Sequence, residues 1–216
     1  HVAIANHSNI RDTIPAANHP LLQGEGCFTH LGRAVLTMAR KPVCIVGKLQ
    51  HADAMEALLE EVGLTGKPVT AENVSYAIAP RINAAGRMDN AVTALQLVMC
   101  EDPDRAAELA HKLNEINTKR QETELQIFKA AQELLEQEPE RLEDRVMLLW
   151  GRDWHPGVIG IVASRLVEKT GRPVIVVSID EHGEGKGSGR SVQGFNLHAC
   201  IASCEDLLLR FGGHAM

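Results

Sequence analysis

Aromatic residues are scarce in this chain of 216 residues, at 3% of the sequence. Two tryptophans, one tyrosine and four phenylalanines are too few for a surface on which successive nucleobases stack, so any nucleic-acid partner has to be held mainly through its backbone. The formal net charge of −6 argues against a generally basic surface, although it leaves room for a local basic site.

Cysteine lacks the spacing of a metal or redox site. The five cysteines form no CxxC pair and mostly lie in apolar runs, which indicates a reduced, cytoplasmic compartment. Cys200 and Cys204 share a predicted helix face, and we expect both in the core. The sequence shows no apolar stretch as long as a membrane span and no signal peptide. Because it opens on His1 rather than Met, we expect a piece of a longer chain.

Several common enzyme motifs are missing as well. The segment Gly183–Gly189 is not a P-loop, because Gly187 follows Lys186 where that motif needs Ser or Thr, and no GxGxxG register fits. The sequence also contains no HExxH pair and no GxSxG elbow. Hydrolysis of nucleotides by a P-loop is therefore not expected.

The first half of the chain is mostly helical by its pattern of apolar residues. Its predicted elements are the helices Arg33–Arg40, Ala52–Val62 and Val92–Met99 and the buried strand Val43–Val46. A long polar helix follows from about Asp104 to Gln137, and its length and polarity are more typical of a connector than of a core element. The candidates for its buried stripe are Leu109, Leu113, Ile116, Leu125, Phe128 and Leu135.

The second half alternates strands and helices. Its predicted elements are the buried strands Val146–Trp150 and Val174–Val177 and the helices Val158–Lys169 and Leu197–Arg210. A strand-helix-strand crossover of this length usually makes a parallel pair with a right-handed connection. The sequence therefore predicts an α/β fold for this half.

The segment Lys186–Arg190, read KGSGR, carries the residue types of an anion site. Its glycines let a ligand approach the backbone, and alternation along an extended segment would send Lys186, Ser188 and Arg190 to one face. An ammonium and a guanidinium on one face suit phosphate. The alternative is a polar hairpin turn on a solvated edge.

Two histidines lie at junctions of the same half. His155 follows the first strand, at the end of an α/β sheet where ligand groups collect, and Gly157 permits close approach to the amides of the next helix. His214 follows two glycines. Each histidine either packs or caps locally, or presents its imidazole to a phosphate or a leaving oxygen.

A third candidate segment is Ala79–Met88, read APRINAAGRM. It places Arg81, Asn83 and Arg87 among small residues that permit tight packing. The two arginines are six residues apart and need not share a helix face. Either one of them ties two domains together through carbonyl contacts, or they contact phosphate.

Five motifs in order resemble a known family. They are APRINAAGRM (79–88), DWHPGVIG (153–160), KGSGR (186–190), GFNL (194–197) and GGHAM (212–216). The series is similar to that of the RecJ family of single-strand-specific 5′→3′ DNA exonucleases, a branch of the DHH phosphoesterases. The similarity runs from about Ala71 to Met216.

The resemblance implies an architecture with three parts. Residues 1–103 would be the C-terminal part of a DHH domain, residues 104–143 a connector helix, and residues 144–216 a DHHA1-type α/β domain with a mixed sheet. The last part would grip the single strand and help to seat its 5′ end. We expect it to be truncated at its C-terminus.

The resemblance also implies strand contacts. The residues expected to contact the 5′ phosphate or the strand are Arg81, Asn83, Arg87, His155, Lys186, Ser188, Arg190 and His214. In the family, a pair of Mn²⁺ or Mg²⁺ ions hydrolyses the phosphodiester bond. The sequence contains no Asp-His-His triplet, so most metal ligands are expected outside this chain, which alone is expected to be inactive.

Asp12 is the metal-ligand candidate within the chain. It precedes Pro15 at a distance similar to that of the family's late metal-binding aspartate. The segment departs from the family at Arg11, where a small residue is usual, and at Asn18–Pro20, where an acidic and basic pair is expected. A lone surface aspartate is the alternative.

These observations leave three functions open. The first is part of a single-strand-specific exonuclease in cytoplasmic DNA repair and recombination, with repair and replication proteins as partners and no membrane. The second is a module that binds single-stranded DNA or a partner without catalysis. The third is a DHH-family phosphoesterase acting on small nucleotides, against which the WHPGVIG and GFNL motifs weigh.

Overall fold

The computed structural model describes residues 2–4 and 52–214. The chain divides into two compact units, Pro15–Arg120 and a second made of His1–Ile14 with Gln121–Met216. We call them the helical unit and the sheet unit and describe each by itself. Outside the described residues lie three predicted features, namely the helix Arg33–Arg40, the strand Val43–Val46 and Asp12.

The described part of the helical unit is built from helices. They are α1 (Ala52–Glu61), α2 (Ala79–Met88), α3 (Val92–Val98) and the first half of α4 (Pro103–Gln137). Each of the helices α1 and α3 ends one residue before its predicted end. Ahead of α2, Thr70 and Asn73 form a capping box, and one π-helical turn, Val74–Ile78, leads into the helix.

Aliphatic side chains form the core of the helical unit. Leu58, Ile78, Leu97 and Leu113 are almost completely buried and belong to one cluster. The first half of α4 contributes to this cluster, with Ala106, Leu109, Ala110 and Leu113. This half of the predicted connector is therefore also a core element.

The buried stripe of α4 continues in its second half on residues other than those predicted. Ile127, Ala131 and Glu124 are buried, whereas Leu125 is 48% exposed. Leu125 lies one position, or about 100° around the helix axis, from Glu124. The prediction of Leu125 as buried is wrong because its place on the helix, rather than its apolar side chain, decides its exposure.

The sheet unit contains a mixed sheet. Its strands are β1 (Val2–Ile4), β2 (Met147–Arg152), β3 (Val174–Ile179), β4 (Gly185–Arg190) and β5 (Leu208–Phe211), in the spatial order β2-β3-β4-β1-β5. Strands β2 and β3 pair in parallel through the crossover helix α5 (Ile159–Thr170), whereas β3 and β4 are antiparallel. The parallel crossover and the mixed sheet confirm the predicted α/β fold.

Helix α5 and the sheet bury a shared apolar layer. Val162 and Leu166 of α5 have no exposed surface, and neither do Met147, Val174 and Val176 from the strands. Burial of such side chains contributes roughly 1.5 to 3 kcal/mol each, so this layer holds the crossover helix firmly on the sheet.

The opposite face of the sheet is covered less evenly. Ile175 and Val177 of β3 pack there with Leu197 of the short helix α6 (Leu197–Ala202). On the same face of β2, Leu148 and Trp150 are 42% and 43% exposed. The prediction of a fully buried strand is therefore confirmed for β3 and wrong for β2, because β2 lies at the edge of the sheet.

The end of the described chain also differs from the prediction. The helix predicted over Leu197–Arg210 ends at Ala202, and a 3₁₀ turn (Glu205–Leu207) and strand β5 follow. The leucines at 207–209 fit a helical or an extended pattern equally well, and pairing with β1 selects the strand. Cys200 and Cys204 are exposed rather than in the core. In the part of the chain described, no helix has the length and apolarity needed to cross a membrane.

Candidate functional site

Strand β4 presents its polar side chains on the face that α5 covers. Lys186, Ser188 and Arg190 lie opposite Ser178, Val176 and Val174 of β3. Residues at paired positions point to the same face of a sheet, so these three side chains share the face of the buried Val174 and Val176. The segment is thus a strand within the sheet, and the alternative of a solvated hairpin turn is wrong.

The Arg190 guanidinium folds back along its own strand. Its Nη1 donates to Ser188 Oγ at 3.1 Å and to the Gly189 carbonyl at 2.7 Å. Ser188 is 7% exposed, and burial lowers the pKa of the Arg190 guanidinium from its ordinary value. Arginine keeps its charge even so. Among the ion pairs formed by the described residues, none includes Arg190.

The first turn of α5 lies directly against this pair of side chains. A Cβ atom built at Gly160, the second residue of the helix, would stand 2.8 Å from Ser188 Oγ and 2.9 Å from Arg190 Nη2. The N-terminal end of α5, which is the positive end of its dipole, therefore lies beside the positively charged Arg190 guanidinium. Such an arrangement favours an anion.

The loop between β2 and α5 is fixed to the sheet by hydrogen bonds. Asp153 adopts a left-handed conformation, with φ of 58°, and its N–H donates to the Ile179 carbonyl at 3.0 Å. Ser178 Oγ donates to the Trp154 carbonyl, and the Trp154 indole packs on Gly151. The loop is thus held against both β2 and β3, which fixes the position of His155 within it.

His155 forms hydrogen bonds with the residues that lead into α5. Its Nδ1 accepts a hydrogen bond from the Gly157 N–H at 3.1 Å, and its carbonyl accepts from the N–H groups of Val158 and Ile159 at 2.9 and 3.2 Å. With Nδ1 as an acceptor, the neutral ring carries its proton on Nε2. His155 therefore caps the entrance to α5 through both its carbonyl and its ring.

A depression of about 450 Å³ opens beside His155 and Lys186. Three acidic side chains also line it, those of Asp153, Asp180 and Glu184. Arg210 lies on its wall and was not among the predicted site residues. The sequence pattern placed Arg210 on a helix, whereas its position in β5 brings it to the depression.

The predicted residues of the helical unit do not form one cluster. Arg81 Nε donates to Asn114 Oδ1 at 2.9 Å and Nη1 donates to the Ala77 carbonyl at 2.6 Å, so Arg81 ties α2 to α4. Burial lowers the pKa of the Arg81 guanidinium, and Glu61 opposes the shift.

The other two candidates of α2 point elsewhere. Asn83 is exposed and Arg87 is half-buried. Arg87 lies about 240° around the helix from Arg81, given about 100° per residue. The binding roles predicted for these residues stay predictions.

His214 is exposed and follows β5. Asp12 lies outside the described residues, so its role as a metal ligand stays a prediction. Across residues 2–4 and 52–214, no three or more His, Cys, Asp and Glu side chains come together as a metal site would require.

Comparison with known proteins gives a consistent result. Residues 143–216 match the DHHA1 domain family. Over 146 residues the chain is 43% identical to the single-stranded-DNA-specific exonuclease RecJ of Bacillus subtilis (strain 168), covering 67% of this chain and 18% of that protein. Over 169 residues it is 36% identical to the enzyme of the same name from Escherichia coli (strain K12), covering 75% of this chain and 29% of that protein. The chain thus spans less than a third of either relative.

Solved structures give the same picture. A crystal structure of the exonuclease RecJ bound to manganese superposes with a TM-score of 0.68 at 36% identity, covering 84% of this chain and 47% of that one. A crystal structure of RecJ in complex with Mg²⁺ from Thermus thermophilus superposes with a TM-score of 0.66 at 34% identity, covering 84% of this chain and 29% of that one. These matches confirm the predicted fold class.

Proposed function

This chain is RecJ-like and carries a DHHA1 domain, and from that premise we propose that it is part of a single-strand-specific 5′→3′ DNA exonuclease that hydrolyses phosphodiester bonds. The described part would seat the strand and its 5′ phosphate. Support comes from the relatives, whose names specify single-stranded DNA, and from the chemistry of the β4 face.

The observation that carries the proposal is the state of the Arg190 guanidinium. It is partly desolvated, and its hydrogen bonds within the described chain go to the neutral Ser188 hydroxyl and a backbone carbonyl. A buried cation gains most from an anionic partner, and a guanidinium matches two phosphate oxygens at once. The start of α5 beside it adds a second favourable potential for a phosphate.

We propose further strand contacts in the depression next to this seat. Lys186 lies two residues from Ser188 on the same face of β4, and Arg210 lies on the wall of the depression. Lysine and arginine contacts to phosphates position a nucleic-acid strand, and His155 is proposed as a further strand contact on the family resemblance. We keep His214 as a strand contact on the family resemblance alone.

We give Arg81 a structural role, because its hydrogen bonds to Asn114 and Ala77 hold α2 on α4. Asn83 and Arg87 remain proposed DNA contacts from the family resemblance.

The enzyme would use Mn²⁺ or Mg²⁺, the ions named in the related structures. Bound ions of this kind activate water and stabilise the charge that develops on the phosphate. The described residues do not form a site for such a pair of ions. What these residues do is bind and orient the strand. On the family resemblance we place the enzyme in the cytoplasm, in DNA repair and recombination, with repair and replication proteins as partners.

The test compares two oligonucleotides that differ at one end. Fluorescence anisotropy measures the Kd of the chain for a single strand with a 5′ phosphate and for the same strand with a 5′ hydroxyl. We expect the 5′ phosphate to strengthen binding. Arg190→Ala should weaken the affinity for the phosphorylated strand about tenfold and change the affinity for the 5′-hydroxyl strand little.

Arg145→Ala is the matched control, because Arg145 is an exposed arginine of the same unit. It removes the same charge and is expected to affect both oligonucleotides equally. Equal losses on both strands for Arg190→Ala would reduce Arg190 to a general backbone contact. Tight binding that ignores the 5′ end in the unmodified chain would favour a general strand-binding module.

A further inference from the structure

Gly160 is placed where a side chain would collide with the proposed phosphate seat. An added Cβ would come within 2.8 Å of Ser188 Oγ, 2.9 Å of Arg190 Nη2 and 3.5 Å of Arg190 Cζ. Real Cβ atoms essentially never approach other atoms below 3.0 Å, so any side chain at this position would require one of these groups to move.

The backbone of Gly160 gives no other reason for glycine. The residue lies within the regular helix α5, and its carbonyl accepts from Ser164 Oγ at 3.1 Å. Glycine in the interior of a helix is less favourable than alanine. Gly171 at the end of the same helix is different, because its φ of 65° is a left-handed conformation that favours glycine. Position 160 therefore lacks a side chain because Ser188 and Arg190 occupy the space that one would need.

The geometry points to Gly160 as a positioning residue of the phosphate seat: the missing side chain leaves the space in which the Arg190 guanidinium folds back to Ser188. This assignment rests on the proposed function of that seat. Gly160 touches no reacting atom and acts through Arg190. A methyl group at position 160 would push the guanidinium off Ser188 Oγ.

Two groups would have to yield. The Arg190 guanidinium stands at the far end of a long flexible side chain and can swing away, whereas Ser188 is a short, buried side chain on a strand paired along its length, so only its hydroxyl can turn. The guanidinium would move furthest, so the change at Gly160 would weaken binding of the 5′ phosphate beyond what the loss of packing costs the 5′-hydroxyl strand. This separates a positioning role from a purely structural one.

The experiment measures Gly160→Ala with the two oligonucleotides described above. We expect the variant to lose about tenfold of affinity for the 5′-phosphorylated strand and less than about twofold for the 5′-hydroxyl strand. The crowding of the buried Ser188 hydroxyl should lower the variant's melting temperature without unfolding the chain. Gly86→Ala is the control, because an added Cβ in that helix meets only Ala91 Cβ at an ordinary 3.7 Å.

A double-mutant cycle tests whether Gly160 acts through Arg190. In an Arg190→Ala background, Gly160→Ala should change the affinity for the phosphorylated strand by less than about twofold, because the group that it displaces is gone. A full tenfold loss in that background would overturn the assignment. If Gly160→Ala does not fold, the change is made in a Ser188→Ala background, which removes the nearer of the two colliding atoms and leaves Arg190 Nη2 in the way. A further loss of preference for the phosphorylated strand is expected there, and an unchanged preference would overturn the assignment.

The two proposals fail in different ways. If the unmodified chain binds both oligonucleotides equally, the 5′-phosphate seat is wrong and the role of Gly160 falls with it. If the unmodified chain prefers the phosphate and Gly160→Ala keeps that preference in full, only the positioning role is overturned.

Discussion

Glycines in the sheet unit make room for neighbouring side chains. Besides Gly160, Gly151 lies under the Trp154 indole, and Gly189 of β4 lies under Leu197, whose Cδ2 would be 2.8 Å from an added Cβ. None of these three has a positive φ, so the contact rather than the turn explains the residue type. Side chains thus reach the backbone of the sheet at the ends of β2 and β4.

We expect Gly151→Ala to release the Trp154 indole and loosen the loop that carries His155. The added methyl group overlaps the ring, and such overpacking costs about 1 to 3 kcal/mol of unfolding free energy. Urea unfolding measures this cost, and Trp154 fluorescence in a Trp150→Phe background should shift to longer wavelength. Gly212→Ala is the control, because no atom lies within 4 Å of its added Cβ. Unchanged stability and emission for Gly151→Ala would contradict the packing.

The sequence identifies residue types at this scale but not their partners. Arg81 and Arg190 both lie in motifs rich in small residues. Arg81 nevertheless donates a hydrogen bond to Asn114, thirty-three positions away, whereas Arg190 donates to Ser188 on its own strand. Gly160 lies in the motif DWHPGVIG, yet its use depends on Ser188, which folding brings beside it. Tertiary neighbours of this kind leave no signal in a single sequence.

At the scale of elements, the apolar pattern predicts where some of them begin. The strand β3 and the crossover helix α5 begin within a residue of their predicted starts, because their apolar runs are bounded by turn residues. The strand β5 was not predicted, since three consecutive leucines suit more than one periodicity. Its pairing with β1 is a contact across the whole chain and cannot be derived from local pattern.

Within the sheet unit, Arg165 of α5 contacts two side chains in the second half of α4. Arg165 Nη1 donates to Glu124 Oε1 at 2.9 Å, and its guanidinium stacks over the Phe128 ring with 4.2 Å from Cζ to the ring centroid. Glu124 is nearly buried, with a side chain 12% exposed, while the Arg165 side chain is 41% exposed. Arg165 therefore links α5 to α4 through two contacts, an ion pair with Glu124 and a cation–π contact with Phe128.

We expect Arg165→Ala to lower the unfolding free energy by about 1 to 2 kcal/mol, allowing for the partial exposure of the pair. Arg165→Lys should lose part of this amount, because lysine keeps the charge and loses the planar stack. Urea unfolding checks both values. Glu168→Ala, an exposed change on the same helix, should stay within about 0.5 kcal/mol. An Arg165→Ala effect no larger than that of Glu168→Ala would show that the contact contributes nothing to stability.

At the scale of the whole molecule, a net charge of −6 means that binding to a polyanion depends on a few placed cations. The candidates in the sheet unit are Lys186, Arg190 and Arg210. Composition predicts this dependence, and the family motifs predict two of the three cations. The third, Arg210, required the strand that local pattern did not give.

Salt dependence measures how many phosphates these cations neutralise. For a single strand the slope of log K against log salt is roughly −0.7 per phosphate, so the three cations of the sheet unit predict a slope of about −2, and Arg87 as a fourth contact would make it about −3. We expect Arg190→Ala to reduce the slope by about 0.7, and Arg145→Ala to leave it unchanged, because the slope counts phosphate contacts and not total charge. Anisotropy titrations of a 5′-phosphorylated strand at several salt concentrations give both values. A slope steeper than about −4 would place further cations in contact with the strand, and equal slopes for the chain and Arg190→Ala would remove Arg190 from the phosphate seat.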